Sequence, residues 1–162
     1  RAIVHNLREP DSDVGLVERI RRESSLSRSF LGFAPSLLIS VDGQSVNEQK
    51  ECEDHRVELL NSRVDDSRSD DAVAIVREGL SNIARHAHAT AGAVNVELQG
   101  SGKTGRLTVS VSDDGVGIDP AHTRNSGLAN MAERARLNGG TFTVGTGLEG
   151  KGTKIIWSVP LA

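Results

Sequence analysis

Tyrosine is absent from this chain of 162 residues, tryptophan and methionine occur once each, and aromatic residues make up 2% of it. The core must therefore come from Val, Leu, Ile and Ala, within a hydrophobic fraction of 36%. So few rings leave no platform for stacked bases, and a net charge of −3 without a basic stripe removes the footprint of a nucleic-acid binder. Cysteine occurs once, at Cys52 in a polar run of Glu, Asp and Lys. With nothing to pair with, it reads as an incidental reduced thiol in a cytoplasmic protein. No apolar run approaches the roughly 18 residues that a membrane helix needs, and the start, RAIVHNLREP, lacks the regions of a signal peptide. A cytoplasmic location without membrane contact is the expectation. The length fits one domain with one continuous core, and no internal repeat is visible.

What is present divides into helical and strand-like stretches. Residues 1–12 have apolar positions at Ala2, Ile3, Val4 and Leu7 and stop near Pro10, which reads as the last turns of a helix from a preceding domain, with a linker. The main domain is expected over 13–162. A helical period runs from Asp13 to Phe33 through Val14, Val17, Ile20, Leu26 and Phe30, and PSLLISVDG follows as a short strand and turn. Residues 44–71 are dominated by charged and amide side chains, and part of this stretch is expected to be loop or disordered. After Ser69 and Asp70, both good N-caps, a helix is expected to about Ala87. VNVELQ and RLTVSVSDD alternate at period 2 around GSGKTG, which predicts a hairpin. SGLANMAERARL is an amphipathic helix with Leu128, Met131, Ala132 and Ala135 on one face, and two more strands flank a glycine-rich turn at 141–160. Strands on one side and helices on the other predict a two-layer α/β sandwich.

The helix after Asp70 carries two chemical faces. With Glu78 at zero and 100° per residue, Asn82 falls near about 40°, Arg85 near about −20° and His86 near about 80°. Val73, Val76, Leu80, Ile83 and Ala87 gather on the opposite side, so that face packs on the sheet. The other face offers an acid, an amide, a guanidinium and an imidazole within two turns. Taken alone, such a face reads equally well as solvated surface. It also suits Mg²⁺ and nucleotide phosphates, with Asn82 as the metal ligand and Glu78 orienting or deprotonating a nucleophile.

The glycine-rich turns supply the rest. In DDGVGID the glycines let backbone approach a ligand, and the strand parity of Leu107, Val109 and Val111 carries on to Asp113, so Asp113 points inward. A buried carboxylate needs a donor, which the adenine amine provides, although a lone motif of this kind is also a common Asp turn. Gly127 opens a helix whose free amides favour phosphate, and it serves equally as a cap. GKGT brings Thr153 onto a strand beside Asp113, and by itself it is a hairpin turn. The order is the specific feature: E-x-x-x-N on a helix, D-x-G-x-G after a strand, G-L opening a helix, then G-x-G-T entering a strand.

At these residues, over about Asp70 to Leu161, the chain resembles the catalytic, ATP-binding domain of two-component sensor histidine kinases, in the superfamily shared with Hsp90, gyrase B and MutL. EGLSNIARHAHAT resembles the family's N box, DDGVGI its first glycine box and SGLANMAERA its second. The wording is most similar to the subfamily of nitrate and nitrite sensors that includes the mycobacterial hypoxia and redox sensors. The resemblance implies a Bergerat fold, a mixed sheet covered by helices on one face. It implies that Asn82 coordinates Mg²⁺, that Glu78 assists phosphoryl transfer and that Arg85 and His86 lie near the phosphates. Asp113 would bind the adenine amine, Gly115, Gly117 and Ile118 would shape the base pocket, Gly127 and Leu128 would meet phosphate or ribose, and Thr153 would close the adenine side.

The implied activity is transfer of the ATP γ-phosphate to a histidine on a dimerisation domain, for relay to a response regulator, in a full-length homodimer. That dimerisation helix is not in this chain, so the domain alone is expected to be monomeric and unable to phosphorylate itself. His5, His55, His88 and His122 read as surface histidines. Only Asp119 to Ser126 separate the glycine boxes, which implies a short lid. The rivals are an anti-sigma-factor serine kinase of the same superfamily and a non-catalytic nucleotide-binding module. REGLSNIARHA and the helical remnant oppose the first, and the short lid keeps the second open.

Overall fold

The computed structural model describes residues 14–46, 55–116 and 127–162. Six strands form one mixed sheet: β1 (Ser36–Val41), β2 (Gln44–Ser45), β3 (Gly92–Gln99), β4 (Arg106–Asp113), β5 (Thr141–Thr146) and β6 (Thr153–Pro160), in the order β2-β1-β3-β4-β6-β5. The β1–β3 pair is parallel and the other pairs are antiparallel. Among the described residues four α-helices accompany them: α1 (Leu16–Leu31), α2 (His55–Arg63), α3 (Asp66–Asn82) and α4 (Leu128–Leu137).

One face of the sheet makes the core. Ile39, Val41, Val94, Val96, Leu98, Leu107, Val109, Val111, Ile155, Trp157 and Val159 are buried at alternate positions of their strands, the period that puts every second side chain on one face. On the other face Leu38 is half exposed, and Glu97 and Thr143 are exposed. The two-layer α/β sandwich with a mixed sheet is thus the observed fold.

Helix α3 lies at the centre of the helical layer. Val73, Val76, Leu80 and Ile83 are buried as the period predicts, and Ala72 and Ile75 are buried as well, because α1 packs along a second side of α3. Each of the larger aliphatic side chains contributes roughly 1.5–3 kcal/mol by leaving water. Gly79 sets the approach to the sheet. A Cβ there would meet Val111 Cβ at 2.9 Å and Ile155 Cδ1 at 3.1 Å, so only glycine lets α3 rest directly on β4 and β6.

Several expectations from the sequence are corrected. Helix α3 begins at Asp66, before Ser69 and Asp70, because the Asp65 side chain caps it by accepting from Arg68 N at 2.8 Å. Its regular part ends at Asn82, and a π-helical turn, Ile83–Ala87, follows. In the polar stretch 44–71, expected in part to be loop, residues 55–63 form α2 and α3 takes 66–71, while 47–54 lie outside the described residues. Helix α2 buries only Leu60, but Asn61 covers the start of α1: its Oδ1 accepts from Val17 N at 3.2 Å beside Gly15, where a Cβ would collide with it. Leu26 and Phe30, expected in the buried period of α1, are 59% and 54% exposed. Ala132 is likewise exposed, while Met131 and Ala135 of the same helix are buried.

The remnant helix at 1–12, Cys52, the lid 119–126, His122, Gly117 and Ile118 lie outside the described residues. Among the described residues no helix is long and apolar enough to cross a membrane.

Candidate functional site

Glu78 and Asn82 are one helical turn apart on α3, so their side chains leave the same side of the helix. Arg85, from the π turn, joins them: its Nη2 donates to Glu78 Oε2 at 2.9 Å and to Asn82 Oδ1 at 3.0 Å. A single cationic nitrogen thus bridges a carboxylate and an amide oxygen. Asn82 is 5% exposed, and its Nδ2 has no hydrogen-bond partner among the described residues. A buried amide nitrogen of this kind is costly unless an acceptor, from a ligand or water, meets its N–H groups. The backbone of the π turn includes His86, whose side chain lies outside the described set.

Gly127 comes from far along the chain to the same place. It is the N-cap of α4 in the left-handed conformation, φ 79°, and a Cβ on it would fall into the carboxyl group of Glu78. The glycine is required twice, by its backbone angle and by its neighbour. Leu128 follows as the first residue of α4 and packs, half-buried, against the core.

A second cluster forms at the end of β4. Asp113 is 4% exposed, and its Oδ1 accepts from Gly115 N at 2.8 Å. Burial pushes its carboxyl above the usual carboxylate range, and the N–H groups of Gly115 and Thr153 offset part of that rise. Thr153 is buried at the start of β6 beside it. Gly152, at φ 68°, packs so closely that a Cβ would overlap both the carbonyl and the carboxyl oxygen of Asp113 and would stand 2.7 Å from Gly115 N. Asp113 therefore holds the inward position expected from strand parity, against a wall of glycine backbone.

The two clusters belong to one region. Gly79 presses α3 onto Val111, Asn82 lies one turn beyond Gly79, and Asp113 follows Val111 by two residues on the same side of the strand. One end presents oxygen ligands and a guanidinium suited to a hard cation and phosphates, and the other a buried carboxylate suited to an amine donor. No group of three or more His, Cys, Asp or Glu gathers as a metal cage among the described residues.

The model of the histidine kinase-, DNA gyrase B-, and HSP90-like ATPase family matches residues 67–162. The chain belongs to this family. Among curated proteins it is similar to the signal transduction histidine-protein kinase/phosphatase UhpB of Salmonella typhimurium, 39% identical over 87 residues, 53% of this chain and 16% of UhpB. The sensor histidine kinase LiaS of Bacillus subtilis is 28% identical, over 93% of this chain and 45% of LiaS. The chain thus spans less than half the length of these curated relatives. Among solved structures, the histidine kinase domain of the blue-light activated histidine kinase from Erythrobacter litoralis has a TM-score of 0.57 at 22% identity, covering 91% of this chain and 62% of that one. That likeness is one of fold.

Within this ATPase family the chain is similar to sensor histidine kinases. Two contributors to its site were not singled out from the sequence. Gly79 carries no chemistry and shows itself only through the helix it lets approach. Asp114 reads as a local turn residue, yet its carboxylate binds Thr90 and Ala91 more than twenty positions away.

Proposed function

We propose that this domain binds ATP together with Mg²⁺ and transfers the γ-phosphate to a histidine on dimerisation helices outside this chain, for relay to a response regulator. The observation that carries the proposal is the convergence of Glu78, Asn82, Arg85 and Gly127 at one end of the region that has Asp113, Gly152 and Thr153 at the other.

Asn82 Oδ1 is the protein's ligand for Mg²⁺, a hard cation that takes oxygen donors, and the metal neutralises charge on the phosphates. Asp113 accepts from the adenine amine, with Thr153 and the backbone of Gly115 beside it. Gly117 and Ile118 complete the base pocket in this reading. Gly127 and Leu128 bring the start of α4 to the phosphates, where its free amides favour negative charge. Arg85 leaves Glu78 for a phosphate, and His86 stands near by. Glu78 then orients the incoming imidazole and accepts its proton as a nitrogen–phosphorus bond replaces the bond to the β,γ-bridging oxygen, which departs on ADP. Positioning and charge neutralisation supply most of the rate. The full-length protein is a homodimer and this domain works in the cytoplasm.

Calorimetric titration with ATP and Mg²⁺ tests the pocket. The parent is expected to bind, and Asn82→Ala and Asp113→Asn are each expected to lose that binding. A parent that binds and a variant pair that binds equally well would remove the nucleotide from this site. Adding the helical domain in trans tests the transfer: phosphate is expected on its histidine, and phosphate on serine would favour the anti-sigma-factor kinase reading.

A further inference from the structure

Asp114 stands next to the buried Asp113, yet its carboxylate is taken up by the chain at Thr90 and Ala91. Its Oδ1 accepts from Thr90 N at 2.8 Å and Ala91 N at 2.9 Å, and its Oδ2 accepts from Thr90 Oγ1 at 2.7 Å. Its own N–H donates to Ala91 O at 3.2 Å, one step beyond the Gly92–Asp113 pair of the β3–β4 ladder. These bonds hold the carboxyl down to a pKa of about 2.

The segment they grip is the exit from the long helix. The chain leaves the π turn at His88, which is in the left-handed region at φ 50°, and enters β3 at Gly92. A non-glycine residue in that conformation needs surrounding contacts to hold it there. Residues 88–91 connect the element that carries Asn82 and Arg85 to the strand paired with Asp113. Asp114 ties that connection directly to the strand end, next to the residue that faces the base.

We propose that Asp114 is a positioning residue, fixing the register between the metal- and phosphate-side groups on α3 and the base-side carboxylate Asp113. The inference rests on the nucleotide reading of the site. A ligand that engages both ends gains from their fixed separation, as in any linked binding where the second contact is made at high effective concentration. A ligand that engages the base end alone gains nothing from it.

The 162-residue chain is titrated with MgATP by calorimetry and with adenosine by chemical-shift change, well below the unfolding temperature of each variant. Asp114→Ala is expected to weaken MgATP by about tenfold, as lost charged hydrogen bonds allow, and adenosine by no more than about twofold. Asp114→Asn is expected to restore MgATP binding, because its oxygen still accepts both backbone N–H groups and its amide donates to Thr90 Oγ1. Should Asp114→Ala fail to fold, Thr90→Val, which removes only the hydroxyl bond, is expected to show the same selective loss at about threefold. Equal losses for both ligands, or unchanged MgATP binding, would overturn the proposal and leave Asp114 a stability residue. A parent that binds neither ligand defeats the nucleotide reading itself, and this inference with it.

Discussion

Gly127 and the carboxyl group of Glu78 are in such close contact that a methyl group on the glycine would occupy the place of the carboxylate. Gly127→Ala is therefore expected to act in two ways. The left-handed backbone costs a residue with a Cβ about 1–2 kcal/mol, and the methyl group turns Glu78 away from Arg85. Thermal unfolding should fall by the few degrees that such strain implies, while phosphotransfer by the full-length protein should fall far more. A variant that loses stability but transfers phosphate at the parental rate would show that Glu78 has no part in the reaction.

Arg85 separates stability from binding. Its ion pair with Glu78 is half exposed, with side chains 48% and 35% accessible, and such a pair contributes under about 1 kcal/mol to folding. Arg85→Gln should leave the unfolding midpoint nearly unchanged. Its ATP affinity should drop by about tenfold, as expected for a charged hydrogen bond lost to phosphate. A large drop in melting temperature with unaltered affinity would assign the residue to the scaffold instead.

The acidic pair at the end of β4 gives opposite pH signs. Burial raises the carboxyl of Asp113, so its protonated form favours the fold. That contribution is fully present below the unfolded value and is lost as pH rises through the folded one. Asp113→Asn should therefore gain stability over the parent at about pH 7.5 and lose that gain toward about pH 3, in denaturant titrations at both values. Asp114, held down to about 2 by Thr90 and Ala91, behaves in reverse. Its contribution is present at neutral pH and disappears as pH falls from the ordinary Asp value toward 2, so the amides of Thr90 and Ala91 should keep their exchange protection until that range.

Asp71 fastens the last helix to the central one. Arg134 Nη1 donates to its Oδ1 at 2.5 Å and Asn138 Nδ2 to its Oδ2 at 2.8 Å, while the same Nδ2 reaches Arg134 O at 2.7 Å. Asp71→Ala should cost about 1–2 kcal/mol in chemical denaturation, less than a buried pair because Arg134 is partly exposed. Since α4 begins at Gly127, a loosened α4 should also weaken ATP binding. Unaltered affinity would mean that the start of α4 is held by Gly127 and the core alone.

Much of this architecture was readable before any coordinates. The long helix, expected from just after Asp70 to about Ala87, is legible because its apolar and polar positions fall on opposite sides, although it starts earlier and its regular part ends at Asn82, and Asp113 follows from strand parity. The details that escaped are those decided at long range. Ala72 and Ile75 are buried by α1, which no local period of α3 reveals. Helix α2 sits in a polar stretch and buries one side chain, so hydrophobic periodicity had nothing to detect. The π turn breaks the 100° step assumed for Arg85, and the partners of Asp114 are visible only once β3 and β4 lie side by side.

The single parallel pairing in the sheet has a bearing on how the chain reaches its native state. Strands β3, β4, β6 and β5 neighbour one another antiparallel and lie in the later part of the sequence, whereas β1 joins β3 only by pairing Ser36 with Ala93 across the whole stretch that contains α2 and α3. Closing so long a loop carries an entropic penalty that must be met before the contacts repay it. The segment bearing α1 and β1 is thus expected to dock late and to depart first, which hydrogen exchange of the β1 amides against those of β4 checks. Because α1 lines one side of α3, its detachment would uncover the helix that carries Glu78 and Asn82 while the antiparallel strands stay paired.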